Sequence, residues 1–96
     1  MDDNKELRHI ETDSGFVCDI DPDCMDDMEV LELVVRIDKG DTTAYPEYAE
    51  KILGEDGKRR LYDHLRGSTG RVPVSATMDE LSDIISKFRA EGKVKK

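Results

Sequence analysis

Arg8-His9-Ile10-Glu11-Thr12-Asp13-Ser14-Gly15-Phe16-Val17-Cys18-Asp19-Ile20 is the stretch on which the fold class turns. Residues 8–12 alternate weakly between polar and apolar. Phe16, Cys18 and Ile20 then recur at period two, the spacing that puts every second side chain on one face of a strand. Asp13-Ser14-Gly15 between them is a turn signal, so the stretch predicts a β-hairpin. Asp21-Pro22 ends its second strand, because proline removes a ladder donor. A lone two-stranded ribbon is marginal in water, so the hairpin needs something to pack on.

The rest of the chain supplies helices. Asp23 is placed to cap a helix starting at Cys24 or Met25, with Asp26 and Asp27 in a first turn whose dipole favours carboxylates. Met25, Met28, Leu31 and Val35 form one apolar row and Val30, Val34 and Ile37 an adjacent one, with Glu29, Glu32 and Arg36 opposite. Residues 30–37 are also rich in β-branched side chains, but the cap and the 3.6-residue period favour helix over strand. Gly40 fits the left-handed position just beyond that helix. Pro46 suits a first helical turn, and residues 47–53 extend a short helix that Gly54 closes. Glu55-Asp56-Gly57 reads as a turn in which Asp56 caps a third helix over about 58–66, with Leu61, Tyr62 and Leu65 inward. Gly67-Ser68-Thr69-Gly70 is a loop, and residues 71–75 are extended around Pro73. Thr77-Met78-Asp79-Glu80 fits a capping box opening a last helix. Met78, Leu81, Ile84, Ile85 and Phe88 form its apolar stripe, and Gly92 stops it. The prediction is a mainly helical α+β domain: a short N-terminal β-hairpin followed by about four short helices, one domain over 1–92, and a basic tail over 93–96.

Composition narrows the function. The chain has 96 residues, 40% of them charged and 36% hydrophobic. That suits one small domain with a modest core. No apolar run reaches the roughly 18 residues of a membrane span, and Met1-Asp2-Asp3-Asn4-Lys5 has no apolar segment of a signal peptide. A cytoplasmic protein with two free thiols is therefore expected. The net charge of −8 opposes phosphate backbones, so no nucleic-acid partner and no membrane partner is expected. The charge is divided unevenly. Residues 1–50 carry 16 acids and 4 bases, and residues 51–96 carry 7 acids and 11 bases. The two ends can attract each other within one fold, or can drive head-to-tail association of copies as a homo-oligomer.

Motifs that could carry chemistry fall short. Asp19, Asp21 and Asp23 begin like a calcium loop. However, Cys24 stands where glycine is needed, Val30 where glutamate is needed, and Pro22 interrupts the ligand run. Cys18 and Cys24, with His9 and His64 elsewhere, lack the paired spacing of a zinc site. Gly54-Glu55-Asp56-Gly57-Lys58 lacks phosphate-loop spacing and carries two acids. No nucleophile is positioned beside His64 by any motif. The expectation is a chain with no catalytic residue, no metal and no cofactor.

Several segments, in order, resemble the small tail assembly chaperones of siphophages and prophages of Gram-positive bacteria. They are Gly15-Phe16-Val17-Cys18-Asp19-Ile20, Asp26-Asp27-Met28-Glu29-Val30-Leu31-Glu32-Leu33, Ile37-Asp38-Lys39-Gly40-Asp41 and Ile52-Leu53-Gly54-Glu55. After these come Leu61-Tyr62-Asp63-His64-Leu65-Arg66, Gly70-Arg71-Val72-Pro73 and Met78-Asp79-Glu80-Leu81-Ser82-Asp83-Ile84. The likeness spans about residues 10–90 and rests on the order of the segments rather than on any one motif.

The resemblance implies a non-enzymatic chaperone that binds the tape measure protein and keeps it soluble until the tail tube polymerises around it. It implies action in the host cytoplasm and absence from the mature virion. It also implies contact with tail tube protein through a longer frameshifted form. A long amphipathic client needs its apolar face covered, and a small helical domain can offer a groove. Leu33, Val34, Ile84 and Phe88 are the candidate partner-binding residues, against the competing expectation that helical spacing makes them core. Two other classes stay open: a small acidic adaptor or regulatory protein for another helical partner, and an acidic DNA mimic, which the basic second half disfavours.

Overall fold

The computed structural model describes residues 7–94, with side-chain placement described through residue 90. Strand β1 (Arg8–Glu11) pairs antiparallel with β2 (Val17–Ile20), with Ile10 opposite Cys18 and His9 opposite Asp19. The turn is set by Thr12. Its carbonyl accepts from Gly15 N–H at 3.0 Å, and its hydroxyl accepts from Phe16 N–H at 3.1 Å. Gly15 has φ 95°, the left-handed conformation that closes a three-residue hairpin loop. Ile10, Thr12, Phe16, Cys18 and Ile20 are buried, so the period-two face of the sequence is the inner face of the ribbon.

A 3₁₀ turn, Pro22–Met25, comes next, and helix α1 (Met28–Asp38) starts after it. This corrects the expected helix start. Asp21 caps the 3₁₀ turn, accepting from Asp23 N–H at 2.9 Å. The α-helix is capped by Asp27 rather than Asp23. Asp27 is extended (φ −141°, ψ 122°) and accepts from Glu29 N–H at 2.8 Å. An extended residue with a short side-chain acceptor satisfies the orphan amides, and Asp23 is committed to the 3₁₀ backbone. The other end is as predicted. Gly40 (φ 94°) donates to Ile37 O at 2.9 Å and Asp41 N–H donates to Arg36 O at 2.9 Å, the paired bonds of a Schellman close.

After a second 3₁₀ turn, Thr42–Ala44, helix α2 spans Tyr45–Leu65 with Pro46 in its first turn. The segment consists of two helices joined end to end, as expected, with no separate turn between them. Gly54 alone breaks it, at φ 79° and ψ 167°. The predicted turn at Glu55-Asp56-Gly57 is helical, and Gly57 is buried against Leu53. A glycine can take the one non-helical step, so the chain needs no separate turn or Asp56 cap.

Helix α3 spans Val74–Val94 and begins earlier than expected. The capping box is overturned. Thr77 lies inside the helix, where its hydroxyl donates to Pro73 O at 2.8 Å. Glu80 turns away from the helix start and is buried under the hairpin. Gly92 does not end the helix, which continues to Val94, while Lys95 and Lys96 of the expected basic tail lie outside the described residues.

Helix α1 packs on α2 and α2 on α3, while β2 lies on α2 and β1 on α3. The core is shared by all layers: Ile10, Phe16 and Ile20 from the hairpin, Val30 and Leu33 from α1, Tyr48, Ile52 and Leu61 from α2, and Leu81, Ile84 and Phe88 from α3. Among the described residues, no helix is long and apolar enough to cross a membrane.

Candidate functional site

Helix α1 and helix α3 each lie against α2, and between them a cleft of about 540 Å³ remains. Val34 and Ile37 of α1 form one wall and Ile85 of α3 the other. Tyr48 of α2 and Leu81 of α3, both buried, form the floor. Along α3 the cleft follows Leu81, Ser82, Ile85, Ser86, Arg89 and Ala90, pairs of positions that share one helix face. Ser82, Ser86 and Ala90 are small and exposed, so another backbone can approach α3 closely here. Asp38 and Arg89 stand at the rim with opposite charge. Burial pushes the Tyr48 hydroxyl up to about 12, and Arg89 opposes that rise only in part. Tyr48 therefore enters the cleft as a neutral, amphipathic surface.

The four candidate partner residues separate here. Leu33, Ile84 and Phe88 are core, which removes them from the surface, and their helical spacing is core spacing. Val34 is half-buried and lines the cleft. Ile85, next to Ile84 in the predicted stripe, is the α3 residue that reaches the opening. Helical period alone does not distinguish the two, because which of two neighbouring rows is covered depends on where α2 lies.

A second concave patch adjoins the first, with Tyr45 contributing to both. It measures about 330 Å³ and lies between Tyr45, Pro46 and Tyr62 of α2 and Val72, Val74 and Met78 at the start of α3.

The other gathering of polar side chains lies under the hairpin turn. Glu80 Oε2 accepts from the Thr12 hydroxyl and, at 2.8 Å, from the Ser14 hydroxyl. Ser14 Oγ is also 3.0 Å from His64 Nε2. A serine hydroxyl has one proton, and here it goes to Glu80, so the imidazole N–H donates to Ser14. That order differs from a relay in which histidine takes the serine proton. Asp83 accepts from Asp13 N–H at 2.8 Å, and Lys87 bridges Asp13 and Asp83 at 2.9 and 2.7 Å. Together these bonds lock the turn to α3. Sequence reasoning missed the cluster. Its one visible signal is that Thr77 and Glu80 share the helical face of Leu81 and Ile84, which makes them buried polar positions rather than a cap.

The residues that fall short as metal ligands have structural partners. Asp19 pairs with His9 across the strands at 2.9 Å, and Asp21 caps the 3₁₀ turn. Burial raises the Cys18 thiol to about 11 and the Cys24 thiol likewise to about 11, with the nearby aspartates adding to the effect at Cys24. Among the described residues, no three His, Cys, Asp or Glu side chains converge as a metal site. No family model, no curated protein and no solved structure matches the chain.

Proposed function

We propose that this chain is a non-enzymatic phage tail assembly chaperone that binds the tape measure protein and keeps it soluble before the tail tube forms. The observation that carries the reading is the apolar cleft between α1 and α3, open along one face of a 21-residue helix. An amphipathic helix presents apolar side chains at 3.5 to 3.6 residue spacing, and a trough between two helices receives such a row. Val34, Ile37 and Ile85 supply apolar walls, and Ser82, Ser86 and Ala90 allow close approach. The ordered resemblance in the sequence names the client, and the acidic surface would keep a bound client in solution. Apolar burial, at about 25 cal/mol per Å² before ordering costs, would supply most of the affinity.

Co-expression with the tape measure protein of the same tail gene cluster tests this. The client should become soluble and be recovered in complex with the chain. Ser86→Arg, which fills the cleft from an exposed position, should abolish recovery while leaving the fold intact. A client equally soluble with and without the chain, and no complex at low salt, would sink the proposal.

A further inference from the structure

Among the described residues, the lining of the cleft holds two charges, one on each wall: Asp38 at the end of α1 and Arg89 on α3. Both residues are exposed, and neither is in an ion pair. The other charges close by in sequence lie outside the cleft or are engaged. Lys39 and Asp79 do not line it, and Lys87 is held by Asp13 and Asp83 at 2.9 and 2.7 Å. The rest of the lining is apolar, small or neutral. On the α1 side Leu31, one turn before Val34 and 51% exposed, carries the apolar wall outward.

A helix turned end for end on one groove exchanges its left and right flanks. Like charges on the two walls would not tell these placements apart, whereas an acid on one wall and a base on the other do. We infer that the helix seated in this cleft is charge-polarised, with cations along the flank facing α1 and anions along the flank facing α3, and that Asp38 and Arg89 thereby fix the direction in which it lies. This rests on the proposed client site and adds the chemistry of the segment that fits it. Apolar burial holds the helix in either direction, since both walls are apolar along the groove. In one direction both rim charges gain a partner, and in the other both meet a like charge. Exposed pairs of this kind carry little affinity and chiefly set register and choice of partner. The preference between directions is therefore modest, roughly three- to tenfold.

Synthetic amphipathic peptides as long as α3 test the inference. Each carries a leucine row, a tryptophan and a photo-cross-linker at its N-terminus. The chain itself has no tryptophan, so the emission of the peptide reports binding. A polarised peptide, with lysines on one flank and glutamates on the other, should bind roughly three- to tenfold tighter than one of identical composition with the two mixed on both flanks. That ratio should shrink towards one as salt rises from about 0.1 M to about 1 M and the Debye length falls from about 10 to about 3 Å. The polarised peptide should cross-link at one end of the cleft, beside Ser82 or beside Ala90 but not both. In Asp38→Lys/Arg89→Glu it should cross-link at the opposite end. In Asp38→Asn/Arg89→Gln, the milder pair should the reversal disturb the fold, it should cross-link at both. Equal affinity for the two peptides, cross-links at both ends of the wild type, or the same end in the reversed variant would overturn the inference while leaving a helix-binding cleft in place. If neither peptide binds, or if binding survives Ser86→Arg, the cleft is not a helix site and the inference falls together with the proposed function.

Discussion

Helices α1 and α3 carry apolar rows of similar spacing and meet different fates. In α3, Leu81, Ile84 and Phe88 disappear into the core, and even the charged Glu80 is buried with them. In α1, Val30 and Leu33 are buried, while the neighbouring row of Met28, Leu31 and Val35 stays in solvent. The difference is the number of layers each helix touches. Helix α3 is held between α2 and the hairpin, so two faces have neighbours. Helix α1 lies on α2 and on the two 3₁₀ turns that flank it in the chain, and leaves one side uncovered. A row of apolar side chains at helical spacing therefore marks a surface able to bury, and a second layer decides whether it does.

That contrast can be broken or sharpened by mutation, beginning where the largest effect is expected. Ile84 is fully buried between α2 and the hairpin. Ile84→Ala should cost about 2–5 kcal/mol, the usual range for emptying a packed aliphatic site, measured as a shifted urea midpoint. A loss below 1 kcal/mol, on the order of an exposed site, would mean that α3 is not held on both sides.

Glu80 tests the polar part of the same interface. Glu80→Ala strands the Thr12 and Ser14 hydroxyls that the carboxylate accepts from, and should cost about 1–3 kcal/mol. Glu32→Ala on the exposed face of α1 should stay within about 0.5 kcal/mol. Equal effects of the two would contradict the burial of Glu80 under the turn.

Gly54 should tolerate no side chain, since its φ and ψ fall in a region other residues reach at about 1–3 kcal/mol. Gly57→Ala has a different fault: a new Cβ would stand 2.9 Å from Leu53 Cβ. Alanine's better helix propensity, worth about 1 kcal/mol, offsets part of that crowding, so Gly57→Ala should be the milder of the two in thermal melts.

The lock between the turn and α3 gives a smaller, pH-dependent effect. The Lys87 ammonium and the Asp13 backbone N–H hold the Asp83 carboxyl below its ordinary value of 3.8. A lowered folded-state value means the contribution is complete above pH 3.8 and is lost as acid protonates Asp83 below it. Wild-type stability should therefore fall more steeply than that of Asp83→Asn as pH drops below about 4. Parallel profiles would show that the bridge contributes nothing. The smallest change is expected at Leu31, where Leu31→Ala should leave the stability of dilute monomer within about 0.5 kcal/mol.

Much of this was legible in the chain because it depends on near neighbours. The hairpin followed from period two around Asp13-Ser14-Gly15, and Gly40 and Gly54 were recognisable because a left-handed or broken step favours glycine. Local pattern misled where two local solutions compete. Thr77-Met78-Asp79-Glu80 satisfies a capping box as written, but Glu80 has better partners in Thr12 and Ser14, more than 60 residues away. Asp23 and Asp27 are both fit to cap, and Pro22 gave the first to a 3₁₀ turn. The site was only half legible. Helices α1 and α3 flank the cleft, and of the four named residues only Val34 lines it.

By itself, the sequence determined the hairpin, its inward face, the helix closed by Gly40 and the break at Gly54, because each rests on backbone preferences and spacings within a few residues. Only the tertiary structure decided which of two adjacent apolar rows on α1 is covered, that Ile85 rather than Ile84 lines the cleft, and that Glu80 closes onto the turn. Those outcomes depend on where α2 and the hairpin sit in space, and a helix repeats its faces every 3.6 residues without recording which of them will meet a neighbour.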